Sequence, residues 1–271
     1  MGLMQISSVV NKALASNIAT GGITMLNQAS KISYFAENIV VASVVTVLYP
    51  LLSELYVKKD AVQFARSVEN AIEKLVTFLT PVTAGLAFLS YPIINVLYGH
   101  GEFTDENVKT TAVLMMICSL GIVGIAVQTL LTRALFSMKK VKISAAISVS
   151  LLCVFIVLSV SFSKIYGLNG IAIGTALSYT IGGLTYYFVV RRLCPDMSCK
   201  RNLITLAKAL LGSVLMLGAM FAVDRLLHCA DITAIILLTA VGFTVYFVFA
   251  QIAGLKEMSI RSLISILRRR K

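Results

Sequence analysis

Long apolar runs alternate with short polar connections along this chain. Runs long enough to cross roughly 30 Å of hydrocarbon lie at about 24–49, 75–98, 110–136, 143–163, 168–190, 204–223 and 232–254. Residues 3–18 form an eighth, weaker run, too short to span comfortably and interrupted by Asn11 and Lys12. The pattern predicts an all-α, polytopic transmembrane helix bundle of about eight spans, the first of them truncated, as though the chain starts part-way through a helix.

Composition strengthens that picture. Hydrophobic residues make up 58% of the 271 positions and charged residues only 13%, with a mean hydropathy of +0.89. A soluble core of this size cannot hide so much apolar surface, so lipid must take up the excess. No cleavable signal peptide is expected, because Lys12 interrupts the first run and no basic segment precedes it. The net charge of +12 sits in short clusters between apolar runs and at the C-terminus. That layout fits anionic lipid headgroups and excludes a nucleic-acid stripe. Five cysteines (Cys118, Cys153, Cys194, Cys199, Cys229) show no paired framework.

Charge also sets orientation. One set of connections carries Lys58, Lys59 and Arg66, then Lys139, Lys140 and Lys142, then Arg191, Arg192, Lys200 and Arg201; the tail adds six more basic residues. The opposite set is poor in Lys and Arg: residues 16–22 have none, 98–107 are acidic, 164–170 have one Lys, and the turn at His228–Asp231 has none. The alternation is unbroken if the chain crosses eight times, and the positive-inside rule then puts both termini in the cytoplasm. The tail 258–271 reads either as a short interfacial amphipathic helix or as a plain cytoplasmic tail.

The run 24–49 differs from the others in carrying a polar stripe. Asn27, Lys31, Tyr34 and Asn38 follow at steps of four, three and four and so share one helix face, flanked by Ser30 and Glu37. A lysine within a span costs roughly 2.5–3.5 kcal/mol and normally faces a partner or water. The stripe is expected to look into the bundle as a cavity wall, with Lys31 buried at bilayer depth. The rival is a Lys31 that snorkels, or pairs with Glu37, for structure alone. Asn11 and Lys12 either add to the same cavity or anchor an interface.

Other features carry less. Gly170 and Gly174, and Gly121 and Gly124, are spaced for close helix approach. Pro81 and Pro92 predict kinks in the second long run. His100 and His228 both fall in connections, and Cys194 with Cys199 lack the further ligands a metal needs. No phosphate loop or catalytic triad is arranged in the sequence, so neither an enzyme nor a cofactor is expected.

Several segments in order resemble one family. ASNIATGGITMLNQASKISYFAENIVVASVVTVLYPLLSEL (15–55), VLYGHGEFT (96–104), TRALFSMKKVKI (132–143) and YGLNGIAIGTALSYTIGGLTYYFVVRRL (166–193) resemble matching stretches of the MurJ/MviN lipid II flippases, within the multidrug/oligosaccharidyl-lipid/polysaccharide exporter superfamily. The resemblance implies the C-terminal half of a fourteen-helix transporter: a six-helix C-lobe over 1–193, an additional helix pair over 194–255, and a basic tail over 256–271. It implies alternating-access movement of lipid II, or a similar undecaprenyl-diphosphate-linked glycan, across the bacterial plasma membrane for cell-wall synthesis. A basic cavity between two lobes would receive the diphosphate-sugar head. The family's cavity arginine falls on Lys31, so a substrate-binding role is carried to Lys31, with Asn27, Tyr34, Asn38, Asn11 and Lys12 beside it. Expected partners are the lipid-linked substrate and membrane lipids; a separate N-lobe polypeptide joins them if the chain is one part of a split flippase, and not if it is a truncated product or a fragment of a longer reading frame. The alternatives are an exporter of another lipid-linked oligosaccharide or polysaccharide, and a non-transporting membrane remnant.

Overall fold

The computed structural model describes residues 2–99, 103–227 and 232–254. The expected tail helix (258–271), His100 and His228 lie outside these residues. Among those described, all regular structure is helical: α1 (Gly2–Ser16), α2 (Gly22–Val57), α3 (Ala61–Phe88), α4 (Ser90–Tyr98), α5 (Asp105–Ser119), α6 (Ile122–Ser137), α7 (Val141–Leu193), α8 (Cys199–Leu227) and α9 (Ile232–Ile252). Five helices are long and apolar enough to cross a membrane, six if the α5–α6 pair, bent by 43°, is one span.

α7 is two legs and not a single rod. At Gly167 the backbone takes φ 58° and ψ −133°, a conformation that glycine alone adopts cheaply. The legs 141–166 and 168–193 then fold back on each other. The Tyr186 hydroxyl lies 3.1 Å from the Ser144 carbonyl oxygen and 2.8 Å from Ser148 Oγ. Further up, Gly174 faces the Ser159 backbone so closely that a Cβ would sit 2.8 Å from it. Both expected runs, 143–163 and 168–190, are therefore legs of one hairpin. With α1, α2, α3–α4, α5–α6, α8 and α9, the described residues form eight helical legs.

Local chemistry sets the breaks. Pro92 has no N–H to give the carbonyl of residue 88 and its ring crowds that carbonyl; α3 ends at Phe88. Asp60 caps α3 by accepting from the Gln63 amide at 3.0 Å, and Thr104 caps α5, whose first turn carries Asp105 and Glu106. α2 runs eight residues past its expected end, to 36 residues or about 54 Å. Its overshoot buries Leu52 and Leu55 and is solvated on the other face, where Lys58 donates to Glu54 at 2.6 Å and holds that carboxyl below its usual range.

The bundle is held by close backbone approaches and by a few polar locks. Gly124 meets the backbone of Tyr179 and Thr180 in the second leg of α7, the close packing that the glycine spacing predicts. α8 and α9 form a hairpin, with Lys208 Nζ donating to the Ala253 carbonyl at 2.7 Å. This pair docks on α3 at two levels. The Tyr246 hydroxyl donates to the Thr77 carbonyl at 2.7 Å. Below it, Arg201 Nε lies 2.6 Å from Glu73, and its Nη2 donates to Asn70 Oδ1 at 2.6 Å. The neighbouring buried carboxylate, Glu69, accepts from the Ser198 amide.

The connections sort by charge. Residues of the α2–α3 turn, the α6–α7 turn and the end of α7 line one cavity, so three basic connections meet at one end of the bundle. At the other end, the uncharged α1–α2 turn meets the α7 hairpin, with Ile18 against Gly167 and Gly22 against Leu168.

Candidate functional site

α2 has a packed face and an open one, and the polar stripe lies between them. The packed face runs through Leu26, Ala29, Ser33, Glu37 and Val41, all buried. On it, small hydroxyls make the polar contacts with α5: Ser33 Oγ lies 3.3 Å from both the Met115 carbonyl and Ser119 Oγ, and Ser30 Oγ lies 3.8 Å from Cys118 Sγ. At 100° per residue the stripe is centred about 110° from this face.

The burial expected for Lys31 does not hold. Lys31 and Asn38 are exposed on the surface of the chain, and Asn27 and Tyr34 are half-buried at its margin. The group buried toward the bundle is Glu37, at 4% exposure. Six residues separate it from Lys31, which turns the two side chains about 120° apart; among the described residues no ion pair joins them. The reason is geometric. Periodicity puts four polar residues on one face, but α2 packs along the adjacent face, where Ala29 and Ser33 let α5 come close.

The members of the stripe are tied down differently. Asn38 Nδ2 donates to the Tyr34 carbonyl at 2.8 Å, one turn back. Tyr34 packs edge-on against Tyr179 with ring centroids 5.7 Å apart, while its hydroxyl is buried beside the Cys118 thiol. Lys31 thus stands beside a small aromatic shelf joining α2 to α7. Phe35 and Ile39, at 67% and 54% exposure, lie on the open face beyond it.

In α1, Asn11 is half-buried and Lys12 exposed. Asn11 Nδ2 donates to Thr175 Oγ1 at 3.3 Å, which fastens α1 to the second leg of α7, and its Oδ1 has no partner. The structure therefore puts Asn11 to packing use and leaves Lys12 outward. No contact between these two and the α2 stripe is present. Sequence reasoning missed Glu37 as the buried acid of α2 and missed the Glu69–Glu73–Arg201 cluster. The i, i+4 spacing of Glu69 and Glu73 at the edge of a span is the signal that was available for the latter.

Lys31 lies nine residues into α2, about 14 Å along its axis from Gly22, inside the apolar run 24–49. An outward ammonium group there is stable only against water or another protein surface. An exposed ammonium with amide groups on the same helix face suits an anionic, hydrogen-bonding partner. Among the described residues no cluster of three His, Cys, Asp or Glu side chains offers a metal site.

Comparison with known proteins gives the family of the chain. A sequence model of the family described as lipid II flippase MurJ matches residues 1–242. A probable lipid II flippase MurJ of Thermotoga maritima is 28% identical over 258 residues, covering 95% of this chain and 51% of the relative. Another, of Bdellovibrio bacteriovorus, is 23% identical, covering 96% of this chain and 50% of the relative. Among solved structures, a lipid II flippase MurJ in an inward closed conformation superposes with a TM-score of 0.80 at 26% identity, covering 92% of this chain and 51% of that one. An outward-facing MATE family transporter of the MOP superfamily has a TM-score of 0.55 at 16% identity over 93% of this chain and 62% of its own, a likeness of fold alone. The chain spans about half the length of the curated relatives it matches. With the family model covering nearly its whole length, the chain belongs to the lipid II flippase MurJ family.

Proposed function

We propose that this chain forms one lobe of a lipid II flippase, whose open α1–α2 surface becomes a wall of the transport cavity when a second lobe covers it. The carrying observation is Lys31, exposed within the apolar run 24–49 on the same helix face as Asn27, Tyr34 and Asn38. An ammonium in that position is stabilised by a watered cavity and by the diphosphate of a lipid-linked sugar. Lys12, exposed on α1, extends the polar wall. The polyprenyl chain stays in lipid beside the α8–α9 pair. Transport then consists of this lobe rocking against a second lobe around a site near the midplane.

The same reading fixes orientation. The three basic connections around one end face the cytoplasm by the positive-inside rule, with both termini on that side. In domain terms, 1–193 acts as the lobe, 194–255 as its attached helix pair and 256–271 as a basic cytoplasmic tail.

The test is complementation of a flippase-depleted strain with this chain and its N-lobe partner supplied together. Lys31→Ala is expected to abolish growth and leave lipid II on the inner leaflet, at unchanged expression. Lys31→Arg, which keeps the charge and adds a bidentate fork, is expected to support growth. Normal growth of the alanine variant would overturn the role of Lys31. Accumulation of a different lipid-linked oligosaccharide would move the substrate to that glycan.

A further inference from the structure

The cavity at the basic end of the bundle has a volume of about 500 Å³, and its two cations come from separate turns. Lys59 follows α2 and Lys139 follows α6, and both line it. The two turns are built alike. After α2, the Asp60 amide donates to the Leu55 carbonyl at 3.1 Å and the Lys59 amide to the Tyr56 carbonyl at 3.2 Å. After α6, the Lys140 amide donates to the Leu135 carbonyl at 2.9 Å and the Lys139 amide to the Phe136 carbonyl at 3.0 Å. This is the Schellman closure, whose left-handed residue is usually glycine. Here the left-handed residues are lysines, with φ 57° at Lys59 and 58° at Lys139. Any side chain is costly there, and at both turns it belongs to a cation that faces the same cavity.

The rest of the lining is mixed. Phe64 and Met138 give it an apolar floor, both buried. Asp60 is the acid in the lining, and its carboxylate is occupied as the cap of α3. Two ammonium groups above an apolar floor, at the level where the helices leave the hydrocarbon, match an amphiphile with a phosphate head better than a free anion.

We propose that this cavity binds the headgroup of an anionic phospholipid, with Lys59 and Lys139 on the phosphate and the apolar floor under the first acyl carbons. The site is separate from the α1–α2 surface. It rests on the orientation proposed above, which sets the basic end against the anionic cytoplasmic leaflet.

The test uses the whole chain in neutral detergent, titrated calorimetrically with dihexanoyl-phosphatidylglycerol, dihexanoyl-phosphatidylcholine, glycerol phosphate and inorganic phosphate. Saturable binding of the phosphatidylglycerol is expected, at least tenfold tighter than the other three. The double variant Lys59→Gly with Lys139→Gly removes both charges while giving each turn its preferred residue, so the fold should be kept or strengthened. At roughly fivefold per lysine, it is expected to weaken binding about thirtyfold. The control Lys58→Gln with Lys140→Gln removes the same charge from the same turns outside the cavity, and is expected to weaken binding less than about threefold. Equal losses in the two double variants would reduce the site to diffuse surface attraction and overturn it. Inorganic or glycerol phosphate binding as tightly as the lipid would overturn the lipid assignment. Binding in detergent is independent of flipping, so a failed complementation and a failed titration are separate results.

Discussion

The α7 hairpin and the α2 stripe are both written in the sequence as spaced residues of unusual type, yet they resolve in opposite ways. In the hairpin, glycines meet backbone: Gly174 lies against Ser159, and Gly124 of α6 against Tyr179 and Thr180. In the stripe, Lys31 and Asn38 are exposed, and the hydrogen bond from Asn38 to the Tyr34 carbonyl stays within α2. A small residue has use only where another backbone comes close, so its spacing names both a face and the packing on it. A polar residue within a span has use wherever water or a polar group waits, inside the bundle or beyond it. The stripe thus marks a face without saying what lies opposite.

If that difference is real, damage to the packed regions should appear as lost stability and damage to the stripe as lost transport. The largest effect is expected from Gly174→Leu. Its Cβ would fall 2.8 Å from the Ser159 backbone, and backbone cannot yield without opening the hairpin. Because the obstacle is backbone, a loss above the usual overpacking range of about 1–3 kcal/mol is expected, measured as the folded fraction in mixed micelles. A variant as stable as the parent would break the hairpin account.

Next comes Arg201→Ala, which strips the cation from buried Glu73 and Glu69. Removing one partner of a buried pair costs about 3–5 kcal/mol. Because Arg201 is 43% exposed, the low end, about 3 kcal/mol, is expected from the same unfolding measurement. The double variant with Glu73→Gln should recover part of it, since the carboxylate then needs no cation. The smallest effect on folding is expected at the stripe. Lys31→Ala should change stability by less than about 0.5 kcal/mol, as surface substitutions do, although transport should be lost. A large destabilisation there would mean that Lys31 is a structural residue.

Much of the fold was legible from hydropathy alone, because lipid forces every backbone polar group into a helix and so turns apolar length into crossings. The runs 143–163 and 168–190 were readable as two legs, with Gly167 between them, and the break before Pro92 follows from proline chemistry. The extension of α2 to Val57 was not readable from hydropathy, since Glu54 interrupts the apolar run, and the last turn is held by buried Leu55 and the Glu54–Lys58 pair. The site was legible as a set of residues and illegible as a direction. Helical spacing grouped Asn27, Lys31, Tyr34 and Asn38, but the packed face was chosen by Ala29 and Ser33, two small residues that no polarity scale singles out. Buried Glu37 and the Glu69–Glu73–Arg201 cluster were hidden for a related reason, because a charge is recognised as buried only once its tertiary surroundings are known.

Thiol accessibility in the assembled two-lobe protein tests the central claim most directly. In a background with the native cysteines replaced, single cysteines at Lys31, Asn38, Ile39 and Val47 are treated with a membrane-impermeant methanethiosulfonate. The account predicts rapid labelling at Lys31 and Asn38, slowed by added lipid II, and little or none at Ile39 and Val47. Labelling at Ile39 and Val47 with protection at Lys31 and Asn38 would contradict it.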